Sequence, residues 1–381
     1  MINVRFMKGV EHMASFQKRG KTWQYTISRM VNGKSKPIRK GGFKTKKEAQ
    51  IAAAEVEAKL AKGIVPHLKP EPFDAYFEDW IKLYKSHVNK NTKYRYLTTL
   101  KTIQEYFGST PIQNITKRDY QKFLNEYAKN HSKNTVKKLN SHVRACVQEA
   151  IDEGIIQVDF TRNVSLSGKE GKNKEEKYLN YEESKKLLNY LYKNLDKGMT
   201  NYLLLLGLTT GMRYGELVGL TRKDFDFKNN TINVDKTWGY TNKMHEGFGP
   251  TKNPQSVRKI KVDSKTMQVF KNLFDAVPDN IYRLVFYSPQ SKYKVISNAN
   301  ANKVLENILK ELKIETIITA HGLRHTHASV LLYQGVSIYY VSERLGHADI
   351  ETTLRVYSHV IKELRVRDEL ESAKVYEEMY V

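Results

Sequence analysis

The chain has 381 residues, 40% of them hydrophobic, which is too long for one ordinary core and too apolar for wholesale disorder, so two or three domains are expected. Its 64 Lys and Arg against 41 Asp and Glu leave a formal net charge of +23, which calls for a polyanionic partner, nucleic acid first, because each phosphate neutralised releases a counterion. A membrane surface is disfavoured by the lack of a long apolar run or a lipidation signal, and the single Cys146 excludes a disulfide framework or thiolate cluster and suits a reducing cytoplasm.

The first dozen residues lack the continuous apolar stretch of a secretory signal, and Met13 is a second candidate start, since the fold signals begin just after it. Between residues 13 and 47 stand eleven Lys or Arg and no acidic residue. Within this stretch residues 22–28 alternate like a half-buried strand, Asn32-Gly33 signals a hairpin turn, and residues 36–40 return as a partner. Thr45 then caps a helix over residues 46–61, with Glu48 completing a capping box. A small sheet with one helix and an all-basic face suits a module that enters a DNA groove. Its candidate DNA contacts are Lys18, Arg19, Lys21, Arg29, Lys34, Lys36, Arg39 and Lys40.

Residues 63–72 hold three prolines and read as a linker. Beyond it Tyr76, Phe77, Trp80, Ile81 and Tyr84 fall at helical spacing, and helices are predicted over 92–107, 116–131 and 135–153. Four or five short helices make a bundle, with the aromatic residues as its packing surface. The polar, glycine-bearing residues 167–177 form the clearest linker of the chain. In the last domain helical patterns recur at 181–192, 199–209, 215–220, 265–274, 298–312, 322–334 and 338–345. Residues 231–235 and 257–262 alternate as two strands around a loop containing Gly and Pro. The expected class is therefore α+β, mainly helical, with domains at residues 13–63, 73–165 and 177–381.

The chemistry-bearing residues cluster in this last domain. Arg213 follows Gly211 at the mouth of a short helix, beside its N-terminus, and Glu216 lies three residues on, placed to hold the guanidinium. Arg offers a rigid fork for phosphate oxygens, although an isolated Arg-x-x-Glu pair is usually a surface ion pair. His321 and Arg324 share one helical face at i, i+3 spacing, so a proton-transfer group and a phosphate grip coincide. His325 and His327 invite a metal reading, but two residues apart they face different sides of a helix, with no acidic third ligand at a metal-site spacing. Leu345-Gly346-His347 forms a turn exposing a histidine, and Tyr357 stands ten residues after His347. Lys252 lies in the loop between the two strands, with Lys236, Lys243 and Lys259 as alternatives, and His359 is at most supporting.

This ordered set of Arg213, His321, Arg324, His347 and Tyr357 resembles the active site of tyrosine recombinases, the phage-integrase family. The resemblance runs from about residue 13 to the C-terminus and is most specific between residues 208 and 359. It suggests a three-domain integrase of a temperate phage, genomic island or conjugative transposon. It implies an N-terminal arm-binding domain built on a three-stranded sheet, a helical core-binding domain and a catalytic domain. It also implies Tyr357 as nucleophile, arginines and His347 on the scissile phosphate, His321 assisting proton transfer, and Lys252 as general acid toward the leaving 5′-oxygen. No cofactor or divalent metal is implied. The partners implied are double-stranded attachment-site DNA, core and arm, and a tetramer joined through the C-terminal tail, with a directionality factor and a DNA-bending host protein, all in the bacterial cytoplasm. A type IB topoisomerase shares the chemistry, but the basic N-terminal module argues against it. A regulator with relic motifs is the non-catalytic alternative, and no spaced carboxylate triad supports a metal-dependent integrase.

Overall fold

The computed structural model describes residues 14–31, 34–61, 70–171 and 177–363, together with scattered positions of the C-terminal tail. Met13, the Asn32-Gly33 turn, most of the first linker, residues 172–176 of the second, the side chains of Lys34 and His359, and most of the tail lie outside the described residues. The chain divides into two compact units, residues 1–171 and 172–381.

The first unit opens with β1 (Ala14–Arg19), β2 (Thr22–Ile27), the short pair β3 (Met30–Val31) and β4 (Lys34–Ser35), and β5 (Ile38–Phe43), followed by α1 (Lys46–Ala61). The sheet is antiparallel in the order β1-β2-β5. Tyr25 and Ile27 of β2 and Ile38 of β5 are buried against Ala53 and Val56 of α1. As expected, Thr45 caps α1 and Glu48 reaches back to the Lys44 amide. The expectation of an all-basic face needs correction, because successive side chains of a pleated strand point to opposite sides. Lys18 and Lys40 pair in register with Trp23 and Tyr25 on the helix-facing side, whereas Arg19 and Arg39 pair with Thr22 and Thr26 on the other. That open face is completed by Ser15, Gln17 and Gln24, so it mixes amides and hydroxyls with two arginines.

The helical part follows as α2 (Phe73–Tyr84), α3 (Lys90–Phe107), α4 (Lys117–Ala128) and α5 (Lys133–Asp152). Phe73, Tyr76, Phe77, Trp80 and Ile81 of α2 are buried, which is the face the helical spacing marked out. Asn89, Thr116 and Ser132 cap the next three helices with their side chains, and the Thr116–Asp119 pair closes a capping box. Cys146 is sealed in this core, and burial pushes its thiol far up, so it acts as a small apolar residue.

The second unit begins with α6 (Tyr181–Lys193), α7 (Met199–Thr210) and α8 (Tyr214–Val218). It continues through β6 (Phe225–Asp226), β7 (Thr231–Val234), β8 (Lys236–Trp238), β9 (Phe248–Pro250) and β10 (Arg258–Lys261). It closes with α9 (Ser264–Ala276), α10 (Asn298–Glu311), α11 (Ala320–Tyr333), α12 (Ile338–Leu345) and α13 (Ile350–Glu363). The apolar run is α7, whose Leu203, Leu204, Leu205 and Leu206 are all fully buried, as a helix apolar all round must be. At ~1.5–3 kcal/mol for each buried leucine, this helix is the pillar on which the site rests. β7 and β10 pair antiparallel with Ile232 opposite Ile260, which matches the two predicted strands, and β6 joins them on the far side. The loop between them holds a second hairpin, β8 with β9, which the sequence pattern did not reveal. Among the described residues no helix is long and apolar enough to cross a membrane.

Candidate active site

Two left-handed glycines organise the site. Gly211 ends α7 at φ 66°, where a side chain would be strained and an added Cβ would lie 2.7 Å from His327. Gly346 ends α12 at the same φ, with Ser256 and Arg258 against it. Each glycine carbonyl accepts a hydrogen bond from an arginine of a different segment. Arg324 Nη1 donates to Gly211 O at 2.9 Å, and Arg213 Nη2 donates to Gly346 O at 2.8 Å. The turn before α8, the middle of α11 and the end of α12 are thereby tied into one constellation.

Glu216 is the anionic anchor of that constellation. Its carboxylate is fully buried and accepts from Arg213 Nη1 at 2.8 Å, the Arg213 amide at 3.0 Å, and Arg258 Nη2 at 3.0 Å. Burial alone would push the Glu216 carboxyl up, but Arg258 and Arg213 hold it below the usual carboxylate range. The sequence reading placed Arg213 at a helix N-terminal anion site. In the structure Glu216 takes the Arg213 amide, so the turn supplies the arginine and not a free helix end. Arg213 Nη1 also donates to Ser256 Oγ at 2.9 Å, and Ser256 donates to Asn253. This chain of contacts reaches the loop that carries Lys252, which is exposed.

Arg324 is 3% exposed, and its Nη2 is buried without a hydrogen-bond partner. Burial, followed by the charge of Arg213, pushes its pKa down to about 9, which still leaves the guanidinium charged at neutral pH. His321 opens to solvent at its edge, yet the protein mass around it and the charges of Arg324, Arg213 and Lys252 lower its pKa. His347 donates to or accepts from Thr353 Oγ1 through Nδ1 at 2.7 Å, and burial with the two arginines pushes its pKa down to about 3. Both imidazoles are accordingly neutral near pH 7. Tyr357 is 1% exposed on α13 and packs with Ala328, Leu332, Val341 and Leu345. Burial raises the phenol pKa, and the nearby Arg324 opposes that rise. Its hydroxyl lies 3.0 Å from Nδ1 of His325.

The structure therefore gathers Arg213, Glu216, His321, Arg324, His347 and Tyr357, with Lys252 near enough for its charge to bear on His321. Of the alternatives to Lys252, Lys236 is committed to Asp224 and Asp235. Sequence reasoning missed Arg258, which braces Glu216 and also donates to Ser256 O and Arg344 O. A buried Glu216 shared by two arginines leaves no periodic signal. It also missed Thr353 on His347, and it weighed His325 and His327 as metal ligands alone. His327 bonds Leu208 O through Nδ1 at 2.9 Å and faces the Arg344 Nε at 2.9 Å, so its Nε2 is the acceptor and the ring is neutral.

The comparisons with known proteins match three segments of the chain. The model of the phage integrase family matches residues 177–363, an arm DNA-binding domain matches residues 15–60, and the N-terminal SAM-like domain of phage integrases matches residues 73–128. The chain belongs to the phage integrase family. The integrase of Staphylococcus phage L54a is 28% identical over 338 residues, spanning 81% of this chain and 95% of that protein. The ICEBs1 integrase of Bacillus subtilis is 24% identical over 345 residues, 86% and 88% of the two chains. Among solved structures, the Tn1549 transposon integrase bound to circular intermediate DNA superposes with TM-score 0.63 at 21% identity, over 75% of this integrase and 95% of that chain. That likeness shows the fold, a mixed α+β tyrosine-recombinase architecture.

Proposed function

We propose that this integrase inserts and excises a mobile DNA element by metal-independent strand exchange, with Tyr357 forming a 3′-phosphotyrosyl intermediate. Its enzyme class, a tyrosine-type site-specific recombinase, follows from the family. The observation that carries the assignment of residues is the buried Arg324 Nη2 with no partner, beside Arg213 and Tyr357. An unpaired buried donor costs ~1–3 kcal/mol or more when charged, and a phosphate oxygen would satisfy it.

In this scheme Arg213, Arg324 and His347 hold the non-bridging oxygens of the scissile phosphate. Their fixed positions stabilise the charge of the pentavalent transition state without reorganisation. The neutral His321 assists proton transfer at the mouth of the site, and Lys252 protonates the departing 5′-oxygen. The phosphotyrosyl ester conserves the bond, so a 5′-hydroxyl from another strand reseals it without nucleotide hydrolysis. We further propose that residues 13–63 bind arm sites and that residues 73–165 and 177–381 bind the core site. Four copies joined through the C-terminal tail would act in the bacterial cytoplasm with a directionality factor and a DNA-bending host protein.

The test is a nicked suicide duplex carrying the core site. Tyr357→Phe should bind it normally and trap no covalent adduct, and strand cleavage retained by that variant would sink the assignment. Recombination between two sites, against relaxation of supercoils alone, separates this reading from a topoisomerase.

A further inference from the structure

We propose that His325 is the base that takes the Tyr357 proton, a catalytic residue distinct from His321. The inference rests on the reading of Tyr357 as the nucleophile. Nδ1 of His325 lies 3.0 Å from the Tyr357 hydroxyl, within the reach a proton acceptor needs. The hydroxyl is almost completely screened from water, so solvent is poorly placed to remove its proton. Burial also favours the neutral phenol, which makes an adjacent acceptor necessary for attack near neutral pH. Among the described residues His321 makes no hydrogen bond to Tyr357. Its ring instead packs edge-on against His325, with centroids 4.9 Å apart.

The ring of His325 is held by the residues around it on α11. Arg324 is fastened to Gly211 O, Thr326 Oγ1 accepts from the Leu179 amide at 3.0 Å, and His327 is fastened to Leu208 O. Three anchors in four successive positions fix this turn of helix, so the imidazole is aimed before DNA arrives.

In the step itself His325 begins neutral, with its proton on Nε2 and the Nδ1 lone pair on the Tyr357 hydroxyl. The phenolic proton passes to Nδ1 as the phenolate oxygen bonds to phosphorus. The bond from phosphorus to the 5′-oxygen breaks, and that oxygen takes a proton from Lys252. The products are the 3′-phosphotyrosine, a free 5′-hydroxyl, an imidazolium at His325 and a neutral Lys252. Resealing runs the same transfers backwards. Among the described residues, the titratable and charged groups around His325 include His321 and Arg324 on α11, His347 before α13, and Tyr357 itself. A new positive charge there is opposed by Arg324 until the anionic phosphate enters. Tyr357 therefore stays protonated without DNA.

The decisive experiment compares the full-length wild type with His325→Asn and His325→Gln, which retain a hydrogen-bond acceptor but no base. Adduct formation is timed on a suicide duplex at saturating protein, beside melting and DNA-binding controls that select the variant retaining both. The same duplex is then made with sulfur in place of the 5′-bridging oxygen, whose thiolate leaves without protonation. We expect the variants to form adduct about 100-fold or more slowly on both duplexes. Their rate should climb with pH, as hydroxide replaces the missing base, where the wild type levels off. Lys252→Ala should be slow on the oxygen duplex and restored on the sulfur one. Near-wild-type rates in His325→Asn or His325→Gln, rescue of either by sulfur, or a pH profile parallel to the wild type would each overturn the proposal. Tyr357→Phe runs in parallel: an adduct in that variant rejects the nucleophile, whereas none there with full rates in His325→Asn rejects the base alone.

Discussion

Arg213, Arg258 and Arg324 enter the proposed catalytic centre with most of their guanidinium nitrogens, taken together, already bound to protein carbonyls, to Ser256 or to Glu216. In the N-terminal sheet Lys18, Arg19, Arg39 and Lys40 instead stand exposed on strands whose core is five buried side chains. The difference follows from what each region has to do with a phosphate. A transition state is stabilised by donors fixed before it forms, so the catalytic cations are braced at the cost of burying a carboxylate. Affinity for a duplex needs charge at the surface, where counterion release does the work and long side chains adapt to the backbone. The same residue type is therefore scaffolded in one region and left loose in the other.

The largest effect should come from removing the brace. Glu216→Ala leaves Arg258 as a buried, uncompensated cation, and breaking a buried pair in this way costs about 3–5 kcal/mol. Calorimetric melting should show that loss in the catalytic domain, and the suicide duplex should show cleavage falling with it. An unchanged melt with cleavage within a few-fold of wild type would mean that the centre is not braced as described. Lys252 tests the contrast from inside the catalytic domain, because it is exposed like an arm residue yet assigned to the chemistry. Lys252→Ala should cleave about 100-fold more slowly on an ordinary duplex, with DNA affinity within a few-fold of wild type. A variant that loses affinity and keeps its rate would place Lys252 with the loose cations.

Acid should distinguish the two regions next. His327 is held neutral inside the catalytic domain with its pKa pushed down to about 3, against ~6.5 for a free imidazole. Between these values the unfolded chain binds the extra proton, so stability rises with pH across the window and is lost as pH falls from about 6.5 toward 3. The slope is at most about 1.4 kcal/mol per pH unit for this group. Residues 14–61 contain no histidine. Hydrogen exchange at pH 6.5 and 5.5, corrected for intrinsic rates, should therefore show protection falling in α7 and α11 and holding in α1 and β2. Equal losses in both regions would contradict the neutral His327.

How much of this was legible in the sequence differs between the regions for the same reason. The helices and the two main strands could be read because burial imposes a period, as in Phe73, Tyr76, Phe77, Trp80 and Ile81, and because a cap such as Thr45 is local. The spacing from Arg213 to Tyr357 was equally visible, since chemistry fixes residue types. What stayed hidden was pairing across the fold. Arg258 meets Glu216 across 42 positions and His325 meets Tyr357 across 32, and neither has a periodic signature. In the sheet the composition was visible and the register was not. Eleven cations with no acidic residue among them suggested one basic face until the pairing of β1, β2 and β5 divided those on the strands.

That division yields the smallest expected effect. Arg39 lies opposite Thr26 on the open face, whereas Lys40 lies opposite Tyr25 on the side that carries α1. If the open face is the one that meets arm DNA, Arg39→Ala should lower the slope of log affinity against log salt by about one. Lys40→Ala should change that slope by less, because its charge sits behind the sheet. Gln17 and Gln24 face each other on the same surface and carry no charge, so Gln24→Ala should leave the slope alone while narrowing the preference for an arm site over random duplex. Salt titrations of the three variants on both duplexes rank the faces directly. Equal slopes for Arg39→Ala and Lys40→Ala would mean that the sheet binds DNA by charge alone, with no face preferred.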